Sequence, residues 1–133
     1  MNRLLLPVVM VLVSASTALA TDRLVPSQYA TIQAAVNASG YGDVVVIAAG
    51  TYDDCIHQAS PGDSTAIPPI EPDTTKCVVV MKSGVALRGA GTGATIIEAR
   101  GRGRGIHCDA VIDATIEELT VRGLAYRYPD TDR

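Results

Sequence analysis

The sequence predicts an all-β solenoid, a stack of short strands behind one short helix, and three observations predict it. Short runs of Val, Ile, Leu and Ala alternate with turns rich in glycine; the chain has 12 Gly, and Phe and Trp are absent. Such runs suit thin layers of β-branched side chains. A pattern of apolar, small, apolar, Arg, Gly occurs twice, as Val85-Ala86-Leu87-Arg88-Gly89 and Leu119-Thr120-Val121-Arg122-Gly123, 34 residues apart. A two-turn amphipathic helix near the start is too short to stand alone and needs a surface to lie on. A β-sandwich is the competing fold. Its hairpins favour Asn-Gly or Asp-Gly turns, and the sequence has neither.

The chain opens on Asn2 and Arg3, followed by an apolar run over residues 4–13 that only Pro7 interrupts. Small residues then lead to Ala18-Leu19-Ala20. This is the order of a secretory signal peptide, and cleavage is expected after Ala20. Ten apolar residues fall well short of the roughly 20 that cross a bilayer as a helix, and no later segment is long and apolar enough to span. The expected product is one exported, extracytoplasmic domain, residues 21–133. Cleavage removes Arg3, one of 11 basic residues, and leaves all 14 acidic ones, a net charge of −4. Nothing basic is concentrated enough for a nucleic-acid footprint.

Within that domain, Ile32, Ala35 and Val36 lie at i, i+3 and i+4, so residues 31–38 form the helix. Thr31 serves as its N-cap and Gly40 as its stop. Residues 44–48 are a five-residue apolar run between glycines, a strand, and Ala49-Gly50-Thr51-Tyr52 is the turn after it. Residues 53–76 carry Asp53, Asp54, Asp63, Glu71 and Asp73 with four prolines, and are expected to be an insertion loop. Strand patterns resume at residues 78–81, then at 95–98 and 110–112. In the repeated pattern, alternation turns Val85, Leu87, Leu119 and Val121 inward, and Arg88 and Arg122 outward.

Three cysteines survive cleavage. Cys55 and Cys77 flank the acidic loop, and in an exported protein a bridge between them would close its base, worth roughly 3 kcal/mol. Three small buried thiols are the alternative.

Two stretches resemble a known family. Val25-Pro26-Ser27-Gln28-Tyr29-Ala30-Thr31-Ile32-Gln33-Ala34-Ala35-Val36, then Gly42-Asp43-Val44-Val45-Val46-Ile47-Ala48-Ala49-Gly50-Thr51-Tyr52, is similar to the opening of secreted pectate-lyase-like proteins. The resemblance implies a right-handed parallel β-helix whose N-terminal end is capped by the short α-helix. Residues 21–133 would be the N-terminal part of that domain, truncated after about three rungs. The tail from Leu124 to Arg133 is too short and too polar to add a rung or a cap. In catalytic members the active residues sit on central rungs, so none is carried over to this chain. If the protein is an enzyme, the resemblance implies a polysaccharide lyase or glycoside hydrolase whose catalytic residues lie outside these residues.

The remaining chemistry is sparse. Arg88 and Arg122, on stacked neighbouring strands, would present two guanidinium groups about 5 Å apart, a spacing suited to the carboxylates of a pectin-like acidic polysaccharide. Neutralisation by Glu98, Glu117 and Glu118 is the plainer expectation. The acidic loop offers hard oxygen ligands for calcium but no D-x-D-x-D pattern, so no cofactor is expected, with calcium, which the resemblance favours, as the alternative. Cys55, His57, His107 and Cys108 match no zinc spacing. The function read from this is binding or degradation of extracellular polysaccharide. The alternative is a non-catalytic cell-surface or adhesive repeat protein.

Overall fold

A computed structural model describes residues 19–124. The charged start and apolar run of the expected signal peptide, and the tail over residues 125–133, lie outside them. The described residues form ten strands and one helix: β1 (Asp22–Val25), α1 (Ile32–Ala38), β2 (Val44–Ile47), β3 (Gly50–Tyr52), β4 (His57–Ser60), β5 (Asp73–Val80), β6 (Ala86–Arg88), β7 (Thr95–Glu98), β8 (Gly103–His107), β9 (Thr115–Glu117) and β10 (Thr120–Arg122). Thr31 is extended and accepts the Ala34 N–H through its hydroxyl, satisfying one donor that the first helical turn leaves open. Ser39 closes the helix, donating its own hydroxyl to the Ala35 carbonyl. The apolar face of α1 (Ile32, Ala35, Val36) is buried, and the helix lies against β1, β2 and β5. That contact supplies the stability two turns lack.

The strands fall into three small sheets. One has the order β1-β2-β6-β9, a second β10-β7-β3, a third β4-β5-β8. The first two are parallel throughout. The third is mixed, with β8 parallel and β4 antiparallel to β5.

This arrangement corrects the predicted fold. Among the described residues neither a right-handed parallel β-helix nor a solenoid is seen. In the first sheet Asp22 pairs with Val44, Val44 with Ala86 and Ala86 with Thr115, so successive partners lie 22, 42 and 29 residues apart. The 34-residue pattern therefore does not mark equivalent strands. β6 pairs with β9, whereas β10 belongs to the second sheet beside β7. The insertion at residues 53–76 is also not all loop. Its ends fold back as β4 and the start of β5, which makes the third sheet mixed.

Local alternation places some of the expected side chains inside and leaves others out. Val45 and Leu87 are register partners and both are fully buried. The next residue in that column, Ile116 on β9, is 43% exposed. In the second sheet Ile97 is buried, and its partner Val121, expected inside, is 36% exposed. At about 25 cal/mol per Å², burial of the Val, Ile and Leu columns is the main favourable contribution.

Candidate functional site

Arg88 and Arg122 do not meet. They stand on β6 and β10, in different sheets, so the predicted pair of adjacent guanidinium groups is corrected. Each is matched at its own register position by a glutamate on the next strand. Arg88 Nε lies 3.0 Å from Glu117 Oε1, and Arg122 Nε 2.6 Å from Glu98 Oε2. The Arg122 guanidinium and the Arg100 N–H hold the Glu98 carboxyl below its ordinary range. Such pairs are exposed and individually worth little.

A second basic group meets the acidic excursion. Arg100 Nε lies 2.6 Å from Asp53 Oδ2, and Arg104 Nη1 2.5 Å from Asp73 Oδ2. The two ends of the excursion are thus held by arginines four residues apart. Arg104, helped by the Thr75 hydroxyl and N–H, keeps the Asp73 carboxyl far below the usual range. At the far end, backbone bonds run both ways between Asp63 and Ile70, at 2.8 and 2.9 Å. They close a tip on which Ile67 is 99% exposed. Among the described residues, no three His, Cys, Asp or Glu side chains gather to hold a metal ion.

All three cysteines are free thiols, and no bridge joins Cys55 to Cys77. Cys55 and Cys77 are buried, their sulfurs 3.9 Å from the Arg104 carbonyl and 3.8 Å from the Thr75 carbonyl. Desolvation pushes both thiols above their ordinary pKa. Cys108 is exposed, and its pKa is also raised by partial desolvation.

Among the described residues, a corner with the makings of a ligand platform carries no signal in the sequence that singles it out. Three turns stack ahead of β2, β6 and β9: Gly42 N–H donates to the Gly84 carbonyl at 2.7 Å, and Gly84 N–H to the Ile112 carbonyl at 2.9 Å. Tyr41, on the first turn, lies flat across the second and donates its phenol hydrogen to Asp113 Oδ2 on the third. Only glycine permits this. Gly84 has φ +73°, and a Cβ there would sit 2.2 Å from Tyr41 Cδ2. The Asp113 carboxylate holds the phenol proton and raises the Tyr41 pKa. One ring face rests on Gly84, and the residue is 63% exposed. Its outer face is a fixed aromatic surface beside a carboxylate. The only sequence hint is a Tyr in a Gly-rich turn; the partners lie 43 and 72 positions further on. No family model, no curated protein and no solved structure matches the chain, so its likeness to pectate-lyase-like proteins rests on the quoted motifs alone.

Proposed function

We propose that the protein is exported and binds extracellular polysaccharide, with the Tyr41–Asp113 corner as its contact. The observation that carries this reading is the Tyr41 ring, pinned flat on Gly84 with its outer face open. The C–H face of a pyranose stacks on the electron-rich face of an aromatic ring, and the neighbouring carboxylate accepts sugar hydroxyls. Neutral sugar units suit this corner better than acidic ones. The ion-paired arginines of the strands are already engaged by Glu117 and Glu98, and the chain is net negative. Calorimetric titration with a neutral β-glucan hexasaccharide and with an oligogalacturonate tests the proposal. Binding of the neutral sugar, lost in Tyr41→Ala, supports it; no binding, or binding indifferent to Tyr41→Ala, defeats it.

A second reading, a non-catalytic surface or adhesive protein, is favoured by the closed tip that carries Ile67. Ile67 and Ile70, 99% and 57% exposed, both stand at that tip, and exposed apolar side chains grouped in one place suit contact with another surface.

A further inference from the structure

We propose that cleavage of the Ala20–Thr21 bond creates an ion pair the precursor lacks: the new α-ammonium of Thr21 stays docked on the carboxylate of Asp43, where the precursor has only a neutral N–H. This rests on the export part of the proposed function and not on the glycan.

Three observations carry it. Thr21 is already tied to the fold: its N–H donates to Asp43 Oδ1 at 2.9 Å, its carbonyl accepts from Val44 N–H at 3.1 Å, and β1 starts at the next residue. The residues just before are open, with Leu19 84% exposed and Ala20 exposed, so a processing endopeptidase can reach the bond. Asp43 itself is buried and already organised as an acceptor. Its Oδ2 takes Arg23 Nε at 3.1 Å, Arg23 Nη2 at 2.9 Å and Gly40 N–H at 3.0 Å, leaving Oδ1 to face Thr21. The Gly40 and Thr21 N–H groups, with Arg23, keep this carboxyl below its ordinary range, so it is charged when the amine arrives.

The chemistry balances with water as the only co-reactant. The amide C–N bond breaks, the water oxygen ends in the Ala20 carboxylate, and its two hydrogens end on the Thr21 nitrogen. A neutral N–H donor 2.9 Å from a carboxylate becomes an ammonium at the same place, and a charge-assisted bond replaces an ordinary one. The charged and titratable groups around it are Arg23 on β1, the Tyr29 hydroxyl that accepts from Arg23 Nη1 at 2.9 Å, and exposed Asp22 beside it. Asp43 and Asp22 offset the positive charge of Arg23 and the new amine.

The test uses the exported, processed protein. N-terminal sequencing must first give Thr21; another start overturns the proposal. The amine, reductively methylated with carbon-13, is then titrated by NMR. Docking predicts a pKa above the ordinary α-amino range of about 7.7–8.0. A variant with one glycine inserted between Ala20 and Thr21 keeps the Thr21 N–H and Asp43 but moves the charge one residue away. Its amine should titrate in the ordinary range, and it should melt below the natural protein at pH 6. A folded-state amine pKa that is raised gives stability present below the unfolded value and lost as pH rises through the folded one, so the gap should close by pH 10. An ordinary amine pKa in the natural protein, or equal melting at pH 6, overturns the proposal. Asp43→Asn should also return the amine to its ordinary range; should that variant not fold, the insertion variant still decides. Failure of glycan binding leaves all these outcomes unchanged.

Discussion

Gln33 on α1 offers its side-chain amide to Val80 of β5 as a neighbouring strand would. Its Oε1 accepts the Val80 N–H at 2.7 Å, and its Nε2 donates to the Val80 carbonyl at 3.2 Å. β4 pairs with β5 only from Asp73 to Cys77, so the helix takes over where that strand stops. A backbone pair that would otherwise be left bare is satisfied by one side chain.

Gln33→Leu should therefore destabilise the protein although it adds apolar surface. Two partly buried backbone groups lose their partner, a cost of about 1–3 kcal/mol. Urea denaturation measures it. A midpoint equal to or above that of the natural chain would show that water or a rearranged strand replaces the amide.

Stability should fall in acid. The carboxyls of Asp43, Asp63, Asp73 and Glu98 are all held below their ordinary values, by hydrogen bonds and, in all but Asp63, by a neighbouring guanidinium. Depressed folded pKa values give stability that is present above the unfolded values, about 3.9 for Asp and 4.3 for Glu, and is lost as pH falls through the folded ones. Melting temperature should hold from pH 7 to 5 and drop below about pH 4. Asp73→Asn should flatten that drop. A melting temperature unchanged down to pH 2 would contradict the ion-pair account.

The cysteines should differ in reactivity by access. All three thiols have raised pKa values, but only Cys108 is exposed. Iodoacetamide on the folded protein should label Cys108 first, and reach Cys55 and Cys77 only on unfolding. Peptide mapping by mass reads the order. Recovery of a linked Cys55–Cys77 peptide from exported material would instead reinstate the bridge expected from their positions.

What was legible in the sequence is what short-range chemistry determines. Thr31 as N-cap, the buried stripe of Ile32, Ala35 and Val36, the strands at Val44–Ile47 and Thr95–Glu98, and the inward turn of Leu87 all follow from spacing within a few residues. No apolar run announces β8, because Gly103 and Gly105 are of the type that favours turns. They are strand residues that make room: a Cβ on Gly103 would sit 2.0 Å from the Lys76 carbonyl oxygen, and one on Gly105 2.2 Å from Val121 Cγ1. Residues 110–112, read as a strand, are not one, and Ala110 has φ +49°. Alternation told which way Arg88 and Arg122 point but not what stands beside them. That depends on which strands pair, and the unequal spacings hide it.

The excursion has a mechanical consequence. Both its feet, Asp53 and Asp73, are tied to arginines of one short stretch, Arg100 and Arg104, and its tip closes on itself between Asp63 and Ile70. Change at the tip is therefore insulated from the packed columns below. Loop closure costs little more as a loop lengthens, only about 0.6 kcal/mol per doubling. A foreign peptide spliced beside Ile67 would ride on this handle like an epitope on a mast, with the body of the protein serving only as its mount.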